Sequence, residues 1–147
     1  MSEPSEGPPA RRGRVLGLDL GGARIGVAIS DPDRRVAVPL GTIRTGPPED
    51  VRAVAALVRE HGVSEVVVGH PVSLSGAAGE AAHHAERFAQ ALRGVLDVPV
   101  VLHDERLSTV EAERHLARAG LRGRARRERV DEAAATVILQ SYLDARA

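Results

Sequence analysis

Residues Arg14 to Asp31 of this 147-residue chain read R-V-L-G-L-D-L-G-G-A-R-I-G-V-A-I-S-D. An apolar run ends on one carboxylate, Asp19. Gly21 and Gly22 then turn the chain, and a second apolar run, Ile25 to Ile29, comes straight back. The segment reads as a β-hairpin, because glycine permits the positive φ angles that tight reversals need. The acid constrains it further. A carboxylate at the end of an otherwise apolar strand is costly to desolvate unless it is paired or holds a cation. The rest of the chain has to supply what Asp19 meets.

The length fits one domain with a sizeable core. The chain contains no Cys, which removes disulfides, thiolate catalysis and Cys-based zinc sites. No run approaches the roughly 18 apolar residues of a membrane span, and the N-terminus lacks the apolar core of a signal peptide. The expectation is a cytoplasmic protein with no membrane partner. Formal net charge is zero, so the distribution of charge matters more than its sum. All 20 basic residues are Arg, the better bidentate phosphate ligand. Between Arg114 and Arg129 seven Arg stand against one acid, Glu128, which marks that block as a basic patch. One Phe, one Tyr and no Trp leave almost no platform for stacking bases. A nucleic-acid partner would therefore be held through backbone phosphates and shape.

Met1 to Gly13 reads as a flexible tail, and residues 14–147 as one domain. Strands are expected over Arg14–Leu20, Ile25–Ser30 and Val36–Ile43, the last carrying Pro39 and so placed at an edge. Glu49–His61 has helical apolar spacing, acids in its first turn and Gly62 as a C-cap. Glu65–Val68 is a short buried strand running into Gly69-His70-Pro71. Glu80–Arg93 is a second helix and Val98–Leu102 a further strand. Ser108 and Glu111 are spaced as a capping box for a helix to about Ala119. Gly120–Arg129 reads as a basic loop, with Asp131 at or just before the start of a last helix reaching Tyr142. Tight turns join the first three strands, and helices separate the later ones. The sheet is therefore mixed, antiparallel first and parallel afterwards, with helices packed on it.

Ligands gather at the carboxyl ends of parallel strands. Asp19 lies at one such end, Asp104 and Glu105 follow another, and Asp131 opens the last helix. Three separated carboxylates converging on one sheet edge suit Mg²⁺ or Mn²⁺, which prefer oxygen ligands. Each acid also has a plainer reading. Asp19 could cap the turn, Glu105 beside Arg106 could be a surface ion pair, and Asp131 could be an N-cap. The six His residues lack a convincing metal spacing. His70 and His103, at strand ends, are candidates for groups supporting a site.

The segments G-L-D-L-G-G-A-R-I-G-V-A-I-S-D, V-V-V-G-H-P, H-D-E-R-L-S-T and V-D-E-A-A-A-T-V-I-L-Q, in that order and spacing, resemble the YqgF (RuvX) family. The likeness spans nearly everything from Arg14 to Leu143, and Asp104–Thr109 together with the Asp131 motif is its specific part. It implies an RNase H-like fold related to Holliday-junction resolvases, with a link to maturation of the 5′ end of pre-16S rRNA. Carried over by position, it implies that Asp19, Glu105 and Asp131 are the catalytic, metal-holding acids, with the neighbouring Asp104 a further candidate ligand. It also implies that Arg24, Arg106, Ser108 and Thr109 shape the site or meet phosphates. Arg122, Arg124, Arg126, Arg127 and Arg129 would reach the nucleic-acid backbone. The chain departs from the family pattern at three places. Ala23 stands where a basic residue is common, Gly69-His70-Pro71-Val72-Ser73 replaces a G-L-P form followed by Asn, and Ser75 lies where Asp often precedes Gly.

The expectation is therefore a metal-dependent endonuclease, using Mg²⁺ or Mn²⁺, on pre-rRNA or branched DNA. Two other readings remain open at the level of residues. D-L-G-G-A-R-I-G-V-A also resembles the first phosphate loop of sugar kinases and actin-like ATPases, but nothing downstream supplies their second loop. A non-catalytic RNA or junction binder acting through the Arg block would show salt-sensitive binding without cleavage. Symmetric junction cutting would need a homodimer with two sites, and no sequence feature proves one.

Overall fold

The computed structural model describes residues 13–72, 79–107 and 124–147. Five strands form one sheet: β1 (Arg14–Leu20), β2 (Arg24–Ser30), β3 (Ala37–Arg44), β4 (Val63–His70) and β5 (Val100–Asp104). The described helices are α1 (Glu49–His61), α2 (Glu80–Arg93) and α3 (Arg124–Ala145). Strand order is β3-β2-β1-β4-β5, antiparallel across β3-β2-β1 and parallel across β1-β4-β5. This is the mixed sheet that the connection lengths imply.

Pro39 does lie on an edge strand. Val27 faces Gly41 and Ala28 faces Pro39, so the register skips Leu40, a one-residue bulge beside the proline. Val36, expected to open this strand, lies outside it and is exposed. The helix α1 starts and stops at the expected residues. Gly62 takes the left-handed conformation at its C-terminus, and buried Asp50 accepts the Gly46 N–H at 3.1 Å at its start.

The sheet is apolar on both faces. Leu16, Leu18, Ile25, Val27, Val66 and Val68 pack with Val54 of α1 and Phe88 and Leu92 of α2. Val15, Ala28 and Val67 point the other way, onto Ala135, Leu139 and Tyr142 of α3. Alternate residues of each strand therefore belong to opposite layers. In β1 the residues facing α3 are Val15, Gly17 and Asp19.

Two expectations are corrected. Residues 120–129 were expected as a loop, but α3 already begins at Arg124, and Asp131 lies in its third turn rather than at its start. The segment R-A-R-R-E-R-V holds no helix breaker, and Arg, Ala and Glu are strong helix formers. Gly13, expected as the end of the tail, is tied in: its N–H reaches Pro32 O at 3.2 Å, and its carbonyl accepts Arg34 Nε at 2.8 Å. Residues 1–12, the expected helix 108–119, Ser75 and Arg122 lie outside the described residues.

A buried polar network secures the far end of α3. Tyr142 donates its hydroxyl proton to Glu65 Oε2 at 2.5 Å, and Arg34 Nη1 binds Glu65 Oε1 at 2.7 Å. Burial, followed by the Glu65 bond and charge, pushes the Tyr142 hydroxyl up to about 12. A folded-state value above the unfolded one means stability held below the unfolded pKa, about 10, and lost as pH climbs through about 12. Denaturant melts across that window should show a falling midpoint for wild type. Tyr142→Phe should begin less stable at neutral pH and lose this part of the alkaline slope.

Candidate active site

The carboxyl ends of β1 and β4 form an acidic edge beneath α3, and three strand glycines shape it. Gly17, two residues before Asp19, faces α3 so closely that a Cβ there would come within 2.8 Å of Leu139 Cβ. Asp19 therefore faces α3 as well, by strand alternation. It is 5% exposed and pairs across the antiparallel ladder with Gly26. A Cβ on Gly26 would lie 2.0 Å from the backbone oxygen of Asp131. The backbone of α3 at Asp131 thus occupies the space beside Asp19 where a side chain would stand. Gly69 follows Val68, the β4 partner of Leu18. Its absent Cβ leaves room for Glu105 Oε2 at 2.7 Å and Ile138 Cδ1 at 2.8 Å. Asp19, Glu105 and Asp131 are thus brought to one edge and one face, each beside a glycine or opposite one.

Their neighbours differ. Arg24, at the start of β2, donates Nε to Asp131 Oδ2 at 3.1 Å, a partly buried ion pair. Arg24 was expected to shape the site or meet phosphates; in this structure its guanidinium binds one of the acids. Asp104 is one residue from Glu105 but on the opposite side of β5. It pairs in register with His70, whose ring meets Glu86 of α2 at 2.8 Å. Arg106 grips Asp104 through Nε at 3.1 and 3.0 Å and Nη2 at 2.6 Å. The Arg106 guanidinium bonded to it lowers the Asp104 carboxyl below the usual carboxylate range. The structure separates Asp104 from the other three acids and gives it to Arg106.

Among the described residues no three His, Asp or Glu side chains stand as a ready cage for a metal ion. The three acids share an edge, but Asp131 is turned onto Arg24. Their donor chemistry still fits a hard divalent cation: all are carboxylates, one is buried, and they come from three separate elements. Arg124, Arg126, Arg127 and Arg129 lie on the stretch of α3 just before Asp131. Ser108 and Thr109 lie outside the described residues.

Sequence reasoning missed the part played by Gly26 and Gly69, and by Glu86 and Ser141. Glycine inside an apolar strand is a signal of close backbone approach, and the first two could have been found that way. Glu86 and Ser141 carry no local signal. Glu86 bridges His70 and His83 at 2.8 and 3.1 Å. The His70 bond, then that of His83, lowers its carboxyl pKa.

The sheet order, the helix layers and the acidic edge define an α/β protein of the RNase H-like class. A solved Thermus thermophilus RuvC in complex with a Holliday junction substrate matches it with a TM-score of 0.55. That likeness runs at 19% identity over 91% of this chain and 95% of that one, and it supports the fold. A family model described as RuvX, Holliday junction resolvase, matches residues 13–145, and the chain belongs to that family. A Thermobifida fusca protein named "Putative pre-16S rRNA nuclease" is 54% identical over 142 residues, covering 91% of this chain and 89% of its own. Proteins of the same name from Chloroflexus aggregans and Mycobacterium sp. strain KMS are 50% and 49% identical. They cover 90% and 97% of this chain, and 94% and 86% of their own lengths.

Proposed function

We propose that the chain is a divalent-metal-dependent endonuclease that cuts structured nucleic acid, with pre-16S rRNA as its natural substrate. The observation that carries this reading is the convergence of Asp19, Glu105 and Asp131 on one face of one sheet edge. The likeness to relatives of that name at about half identity supports the choice of substrate. The three carboxylates would hold Mg²⁺ or Mn²⁺, which supplies positive charge for activating water and for offsetting the charge that develops at a scissile phosphate.

The chain's own residues have separate tasks. Asp19, fixed in the sheet, is the rigid member of the set. Glu105 leans over Gly69 and closes the set from the β5 side. Asp131 joins when its carboxylate turns from Arg24, and the freed guanidinium then lies beside the site as a donor for a phosphate oxygen. The four Arg between 124 and 129 follow the backbone of the bound strand. The described residues of one chain carry one such set of acids, enough for a single cut in an RNA strand. Symmetric cutting of a four-way junction would take two copies.

The test is an end-labelled pre-16S rRNA leader beside a four-way DNA junction, with Mg²⁺, Mn²⁺ or EDTA. Metal-dependent cuts in the leader, leaving 5′-phosphate and 3′-hydroxyl ends, are the expected result. Paired cuts in the junction alone would move the substrate to DNA. Salt-sensitive binding of both without cleavage would overturn the enzyme reading in favour of a binding protein.

A further inference from the structure

We infer that Ser141 is a positioning residue: with His103 it forms a relay that ties the Glu105 turn to α3 and so sets Glu105 relative to Asp131. This rests on the nuclease reading above. Residues Glu105–Leu107 form a single 3-10 turn directly after β5. Ser141 Oγ donates to the Leu107 carbonyl at 2.9 Å, and His103 Nε2 lies 3.0 Å from the same Oγ. A serine hydroxyl has one proton, and a carbonyl oxygen has none to give. The Ser141 proton therefore lies toward Leu107, and His103 Nε2–H must be the donor to Ser141. Nε2 keeps its proton whether the ring is neutral or charged, so the relay does not depend on titration. The His103 ring is itself held edge-on to Tyr142, with centroids 5.5 Å apart and planes at 84°.

The relay acts on both ends of the turn through one helix. Ile138, one helical turn before Ser141, lies by Gly69 next to Glu105 Oε2. Ser141 fixes the Leu107 end. The same helix carries Asp131, whose backbone lies over Gly26. Two acids from distant parts of the chain thus have their separation set by the rigid body of α3 at 138, 141 and 131. The three-residue turn is thereby held at its Leu107 end as well as at its strand end, and small misplacements at a reacting centre are costly.

The experiment compares wild type, Ser141→Ala, Ser141→Thr and Asp19→Asn. It measures Mn²⁺ binding by electron paramagnetic resonance without nucleic acid, and then kcat and KM on the leader RNA. Ser141→Ala should fold, bind Mn²⁺ about tenfold more weakly, and lose about 10- to 100-fold in kcat with KM little changed. Ser141→Thr, which keeps the hydroxyl, should recover both to within about threefold. Wild-type kcat and Mn²⁺ affinity in Ser141→Ala, beside an inactive Asp19→Asn, would overturn the positioning role and leave the nuclease reading standing. A wild-type protein that neither binds Mn²⁺ nor cuts would overturn both. If Ser141→Ala does not fold, His103→Gln against His103→Leu tests the same relay, because only Gln retains a donor near Nε2. Equal loss in those two would count against it.

Discussion

Asp19→Asn is expected to keep its fold and to lose divalent-metal-dependent cleavage by about a thousandfold or more. A bound metal stabilises charge in the transition state by several kcal/mol, and each ~1.4 kcal/mol is tenfold in rate. Asp19 pairs with Gly26 of β2 and directly follows Leu18, which pairs with Val68 of β4, so its backbone is fixed by the sheet and Asn fills the same volume. The thermal midpoint of the variant should therefore stay close to that of wild type without metal. Added Mn²⁺ should raise the wild-type midpoint and leave the variant where it was, since a ligand stabilises only the state that binds it. Circular-dichroism melts with and without Mn²⁺, alongside leader cleavage, check both halves.

Gly26→Ala has the second large effect, and it acts through structure. The added methyl would meet the Asp131 carbonyl oxygen at 2.0 Å and its carbon at 2.5 Å. These are backbone atoms within a helix, so no side-chain rotation relieves the contact. Either β2 or α3 must shift by an ångström or more. Overpacking of this kind costs on the order of 3 kcal/mol, a large share of the stability of a domain this size. The shift also moves Asp131 away from Asp19, so activity should fall even below the melting transition. Gly22→Ala serves as the control, because a Cβ at Gly22 meets nothing within 4 Å. Urea unfolding of both variants measures the difference. A Gly26→Ala midpoint equal to that of Gly22→Ala would contradict the close approach of α3.

Much of this was legible in the chain, for local reasons. Helix α1 declares itself through its apolar spacing, the acids Glu49 and Asp50, and Gly62 at its end. The hairpin declares itself through Gly21 and Gly22, although neither takes the positive φ expected of it; a Cβ on Gly21 would instead meet the Arg24 carbonyl oxygen at 2.7 Å. What was not legible depends on pairing between distant segments. Strand β4 is longer at both ends than its apolar core because β1 and β5 hold its flanks in the ladder. The basic stretch before Asp131 looked like a loop by its charge, yet Arg and Glu suit a helix well. Asp104 and Glu105 are adjacent acids, and only the register of β5 against β4 decides which of them faces α3. Arg24 and Asp131 are separated by 107 positions, so no local pattern could announce their ion pair. The edge, the acids and their order were visible; the choice among neighbours belonged to the register.

Whether Asp19, Glu105 and Asp131 together hold one metal centre is tested by replacing Mg²⁺ with Fe²⁺ and mapping the backbone cuts made by locally generated hydroxyl radicals. Three clusters of cuts are expected, near residues 19, 105 and 131, all lost in Asp19→Asn and suppressed by excess Mg²⁺. Cuts confined to the neighbourhood of His70, His83 and Glu86, or a pattern unchanged by Asp19→Asn, would contradict a shared centre.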